Sequence, residues 1–227
     1  PNLSDWTKIV NTIKAPSNGS VCIAMIGKYV ELTESYKSLT EALKHGGFAN
    51  DCAVKVVYVD SEEIEQHGVV AGISQVIPPE QVDAFLIPGG FGHRGSEGKI
   101  MAARYAREQK VPYFGICLGL QIAVIEFARH VAGIDKATSS EFDPNSPAAV
   151  IDIMETQRQV ERKGGSMRLG AYPCTILPGT KVAEIYGNPE ISERHRHRFE
   201  VNNKFREDLV KAGLVVSGVS PDRQLVE

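Results

Sequence analysis

From Val21 to Ala132 short runs that are apolar throughout alternate with longer segments of helical periodicity, and this alternation limits the fold more than any other feature. A strand buried on both faces reads as an unbroken apolar run, as Val21-Cys22-Ile23-Ala24-Met25-Ile26 does. Further strands are predicted over residues 54–59, 84–87 and 113–116. Helices are predicted over 35–45, with Tyr36, Leu39 and Leu43 on one face and Gly46-Gly47 as the stop, and over 97–110 and 118–132. Elements at this spacing form parallel βαβ units with right-handed crossovers. After about Gly133 turn residues become frequent. Strands are predicted there over 149–153, 167–177, 196–201 and 214–216, and a helix over 203–213. That half is expected to be more antiparallel yet packed on the same sheet. The expected fold class is α/β: three-layer, with a mostly parallel central sheet flanked by helices and antiparallel additions in the C-terminal half.

A chain of 227 residues, 42% hydrophobic and 23% charged, can bury a sizeable core, which excludes disorder, collagen and coiled coil for the whole. Its net charge of −3 gives no footprint for nucleic acid or an anionic membrane, and neither partner is expected. No apolar run approaches the ~20 residues of a membrane span. Residues 1–20 lack a secretion signal. They read instead as an interdomain linker with a short helix near residues 5–10, ahead of one domain over 21–227. The four cysteines, Cys22, Cys52, Cys117 and Cys174, are scattered, so a reduced, cytoplasmic chain is expected.

One of these cysteines has a special context. In Gly115-Ile116-Cys117-Leu118-Gly119 a short apolar strand runs straight into a helix with a thiol at the junction, the cysteine form of a nucleophile elbow. The flanking glycines permit a sharp turn. Unpaired N–H groups at a helix N-terminus favour an anionic sulfur and can also stabilise an oxyanion. Cys22, in mid-strand, and Cys52 and Cys174 are read as structural.

A second segment, Pro88-Gly89-Gly90-Phe91-Gly92-His93-Arg94-Gly95, follows a buried strand at the end of the sheet where ligand crevices lie. Its glycines leave backbone N–H groups open to an anion, but it matches neither a Walker A loop nor GxGxxG. In the third, residues 193–200, strand alternation puts Arg194, Arg196 and Arg198 on one face and His195 and His197 on the other. The HxH pair lacks a third ligand type nearby, so no metal is expected. The arginines could face solvent or grip a substrate carboxylate.

Together, Pro88-Gly89-Gly90-Phe91-Gly92, Gly115-Ile116-Cys117-Leu118-Gly119-Leu120-Gln121 and residues 193–203 resemble the class I glutamine amidotransferases. Gly27-Lys28-Tyr29, residues 41–47, Ser140-Glu141-Phe142, Gly164-Gly165-Ser166-Met167-Arg168-Leu169-Gly170 and Arg194-His195-Arg196-His197-Arg198 narrow the resemblance to the glutaminase domains of CTP synthases. It covers about Val21 to Glu227. It implies that Cys117 attacks the side-chain amide of glutamine to give a thioester and ammonia. It also implies that the N–H groups of Gly90 and Leu118 form the oxyanion hole, and that Gly119 and Leu120 belong to the substrate-binding residues. Gln121, Glu141 and Arg198 would hold the substrate's polar ends. The chain itself would need no cofactor. A separate N-terminal synthetase domain, absent here, would use ATP and Mg to aminate UTP, with GTP as activator, in a homotetramer.

The family also supplies a His and a Glu in a Phe-His-Pro-Glu-type motif, expected downstream of Glu227, so the domain's C-terminal end is expected to be missing. Of the six histidines, His130 lies ~20 Å along the helix from Cys117. His45 ends a helix, His67 lies in a polar loop, and His195 and His197 belong to the strand pattern. His93 is the one expected stand-in for the base. Two alternatives remain: a non-catalytic glutamine-binding module, and another elbow-cysteine hydrolase such as a γ-glutamyl peptidase.

Overall fold

The computed structural model describes residues 2–154 and 167–227, so the expected match at Gly164-Gly165-Ser166 lies outside the described residues. The chain divides into two compact units, Pro1–Pro88 with Arg94–Ile116, and Gly89–His93 with Cys117–Glu227.

The first unit holds α1 (Ser4–Lys14), β1 (Ser20–Gly27), α2 (Lys37–Ala49), β2 (Ala53–Asp60), α3 (Ser61–His67), α4 (Val69–Ser74), β3 (Ala84–Ile87), α5 (Ser96–Gln109) and β4 (Tyr113–Gly115). Its four strands form one parallel sheet in the order β2-β1-β3-β4. The apolar runs form the core: Ala24, Met25, Ile26, Phe85, Leu86 and Ile87 are all buried. The strand order reverses direction between β1 and β3, and in open parallel sheets the crevice at such a switch point receives the ligand.

Two expectations in this unit are corrected. His67 is not in a loop but ends α3, whose N-cap Asp60 accepts from the Glu62 N–H at 2.8 Å. The Gly46-Gly47 pair does not stop α2, which runs on to Ala49. Gly47 serves close approach instead. A Cβ built there would lie 2.6 Å from the Cys52 carbonyl oxygen and 2.7 Å from Val54 Cγ2.

The second unit holds α6 (Leu118–His130), β5 (Thr138–Ser139), β6 (Ala149–Ile153), β7 (Arg168–Ile176), α7 (Lys181–Tyr186), β8 (Glu190–His197), β9 (Phe199–Val201), α8 (Asn203–Lys211) and β10 (Gly218–Val219). Leu118, Ile122, Ile125 and Ala128, spaced for one helix face, are at most 1% exposed and form the centre of α6's buried side. The later strands do not extend the parallel sheet, as expected, but make two three-stranded sheets of their own, β10-β7-β8 and β5-β6-β9. All pairings in them are antiparallel except β5 with β6. The expected strand at 214–216 does not form. Val215 is 72% exposed, and the pairing falls instead on Gly218–Val219, opposite Thr175 and Ile176. The α/β class holds, with the antiparallel half more independent than the sequence implied.

Candidate active site

Cys117 is the N-cap of α6, two residues beyond β4. Its backbone is at φ 55°, ψ −106°, a conformation a side-chain-bearing residue rarely adopts. Such strain persists only where the surroundings impose it, and it clusters at functional sites. The residue is half-buried. Its sulfur lies 3.9 Å from the Arg196 carbonyl oxygen, a long contact.

The β7–β8 ladder pairs Arg168 with His197 and Gly170 with His195, so both histidines sit on a strand whose far end lies against Cys117. His197 Nδ1 is 3.2 Å from Glu200 Oε1, and Cys117 is among the groups that act on the charge of its ring. Burial disfavours its charged form. Interaction with Glu200 and Cys117 outweighs that and pushes its pKa up to about 10.

Glu200 is buried and also accepts from the Arg168 Nη1 at 3.4 Å. Arg168 binds the Glu227 carboxylate as well. The His195 ring meets His197 edge-on at 5.1 Å, and its Nε2 lies 3.2 Å from Glu227 Oε2, out of line for a hydrogen bond. Burial, with Arg168 and His197 close by, pulls the His195 pKa below the ordinary imidazole value despite Glu227 and Glu200.

Sequence reasoning passed over His197. The sequence assigns it with His195 to the strand pattern, whereas the end of β8 comes to the start of α6. The usable signal was the alternation that sets His195 and His197 on one face, followed by an acid at 200. His93, the expected stand-in, is exposed and makes no hydrogen bond or ion pair among the described residues.

The other expected residues fall as follows. Gly90 abuts α6 so closely that a Cβ there would sit 3.3 Å from Leu118 Cδ2. Gly92, at φ 78°, donates its N–H to Glu141 Oε1 at 2.7 Å, which ties the glycine loop to the segment after β5. Gln121 is buried, and its Nε2 donates to the Phe199 carbonyl at 3.0 Å. Leu118 and Gly119 are buried and Leu120 half-buried in the first turn of α6, where N–H groups lack intrahelical partners. The single strand expected over 196–201 is broken at Arg198, whose carbonyl accepts from the Met154 N–H at 3.1 Å. Among the described residues no group of three or more His, Cys, Asp or Glu could hold a metal ion, and no helix is long and apolar enough to cross a membrane.

A strained thiol opening a helix beside strands that carry an imidazole–carboxylate pair is the arrangement of the cysteine-nucleophile class of acyl-transfer proteins. Comparison with known proteins refines this: the chain belongs to the class-I glutamine amidotransferases, whose family model, "Glutamine amidotransferase class-I", matches residues 31–227. It is 56% identical over 227 residues to the CTP synthase of Geobacter sulfurreducens and 54% identical to that of Trichlorobacter lovleyi. Each match takes in all of this chain but 41% of the relative, so the chain spans about two-fifths of these relatives' length. Among solved structures it is similar to the glutaminase domain of Trypanosoma brucei CTPS with bound acivicin. The TM-score is 0.79 and the identity 39%, over 91% of this chain and 79% of that one.

Proposed function

We propose that this chain hydrolyses the side-chain amide of glutamine as the glutaminase portion of a CTP synthase. The observation that carries the reading is Cys117, held in its strained turn at the head of α6 with Gly90 against the next residue. The sulfur bonds to the amide carbon, giving a tetrahedral oxyanion that the N–H groups of Gly90 and Leu118 face. The C–N bond then breaks, and the nitrogen takes up a proton and leaves as ammonia. Water attacks the thioester, releasing glutamate and restoring the thiol. Glu141, Gln121 and Arg198 hold the amino acid's polar ends. Glu141 already orders the glycine loop through Gly92, so one carboxylate couples substrate binding to loop shape.

The similarity to whole CTP synthases supports the wider reaction. Ammonia passes to a synthetase domain in the remaining part of such an enzyme, where UTP is converted to CTP with ATP and Mg, GTP activating. The assembly is a cytoplasmic homotetramer, and residues 1–20 link the two domains.

The test is ammonia release from glutamine by the full chain and by Cys117→Ala. The substitution is expected to abolish release, with covalent labelling by acivicin lost in parallel. Release that survives the substitution refutes the assignment.

A further inference from the structure

We infer that Arg168 is a positioning residue for the grip on the amino acid's α-carboxylate: by tying Glu200 to Glu227 it fixes the break between β8 and β9 from which Arg198 reaches the substrate. The inference rests on the reading above for the role of Arg198, and adds the residue that holds that arginine in place.

β8 ends at His197 and β9 begins at Phe199, so Arg198 is the residue between them. A planar guanidinium meets a carboxylate through two parallel bonds, which demands a held backbone behind the long side chain. The structure holds it from three elements. At the end of β6 the Met154 N–H donates to the Arg198 carbonyl at 3.1 Å. From the first turns of α6, the helix that Cys117 opens, Gln121 Nε2 donates to the Phe199 carbonyl at 3.0 Å. From β7, Arg168 Nη1 donates to Glu200 Oε1 at 3.4 Å, and the same oxygen lies 3.2 Å from His197 Nδ1. One carboxylate thus staples the residues on either side of the break.

Arg168 is well placed to anchor that staple. It stands opposite His197 in the β7–β8 ladder, is 7% exposed, and lies over the Tyr172 ring at 4.6 Å. Its Nη1 and Nη2 also bind the two oxygens of Glu227. The Glu200 side chain is buried, so without its arginine it must turn toward water, leaving His197 and opening the break. The turn that carries Cys117 is anchored elsewhere, by α6 itself and by Gly90 packed on Leu118. Loss of Arg168 should therefore weaken the hold on glutamine and spare the sulfur.

The experiment measures how much L-glutamine half-protects Cys117 from iodoacetamide in the full chain, with alkylation resolved by peptide mass mapping and ammonia release followed alongside. Arg168→Lys keeps the charge and loses the two-nitrogen fork. It is expected to raise both the half-protecting concentration and KM about tenfold, with kcat and the alkylation rate of the unprotected sulfur within about twofold of the parent. Arg198→Lys alone weakens protection, and adding Arg168→Lys to it is expected to cost less than about twofold more, because Arg168 acts through Arg198. If Arg168→Lys does not fold by circular dichroism, Glu200→Gln, which keeps the shape and removes the charge that Arg168 holds, takes its place with the same expectations. A parent that glutamine does not protect, unchanged protection in the variant, or losses that multiply in the double variant overturn the inference. Protection that shifts as expected in a chain releasing no ammonia would sink the glutaminase reading and leave this one standing.

Discussion

Two adjacent glycines in α2 are expected to respond to the same substitution with opposite signs. Gly46 is exposed, and a Cβ built there meets nothing within 4 Å. Gly46→Ala therefore gains helix propensity alone, up to ~1 kcal/mol, reduced by the position near the helix end. Gly47 is buried, and its Cβ would stand 2.6 Å from the Cys52 carbonyl oxygen and 2.7 Å from Val54 Cγ2. Ordinary contact begins near 3.4 Å, so the segment leading into β2 must retreat by most of an ångström. Val54 can rotate, but the carbonyl is backbone and cannot. Forced overpacking costs ~1–3 kcal/mol, and the immovable carbonyl puts it at the upper end, so after the same propensity gain of up to ~1 kcal/mol the net loss is about 2 kcal/mol. In a chain of this size each kcal/mol moves the melting temperature by ~2–4 °C. Differential scanning calorimetry of the two variants should show Gly46→Ala melting slightly above the parent and Gly47→Ala several degrees below. A Gly47 variant as stable as its neighbour refutes the close-approach argument.

Lys99 on α5 is 2% exposed, and burial, with Lys28 nearby, lowers its pKa to about 8 against the pull of Asp60, Glu62 and Glu65. The unfolded chain holds this proton up to about 10.5, so it binds more protons than the native state between the two values, and stability should rise with pH across that window. Urea midpoints measured from pH 7 to 10.5 should show the rise, and Lys99→Met should flatten it. Gln121→Leu removes a buried donor to the Phe199 carbonyl and should cost about 1–3 kcal/mol by the same urea titration, with circular dichroism at 20 °C unchanged.

The parallel half was legible because its strands are largely apolar runs, the central β1 and β3 mostly buried; β3 appears at its expected bounds. The helices α3 and α4 were not seen, since at 7 and 6 residues they are too short to show a 3.6-residue period. Asp60 followed by Ser61, Glu62 and Glu63 was a readable N-cap signal all the same. Leu214-Val215-Val216 misled because an apolar run alone does not tell a strand from a loop with one face to solvent. In the site, Cys117 was legible from local context, as strain at an elbow is written in neighbouring residues. The approach of β8, with His197 at its end, depends on the β7–β8 register and on the break at Arg198, which no local pattern encodes.

The corner formed by Arg168, Glu200, Glu227 and His197 contains two positive and two negative groups when His195 is neutral, and all four are shielded from water. Such an enclosure tolerates balance and little else, because an odd charge there has no solvent to answer it. A lineage drifting through these positions would have to exchange an acid and a base together, or pass through an unstable intermediate. Correlated replacement at 168, 197, 200 and 227 is thus the mark this arrangement would leave on its descendants.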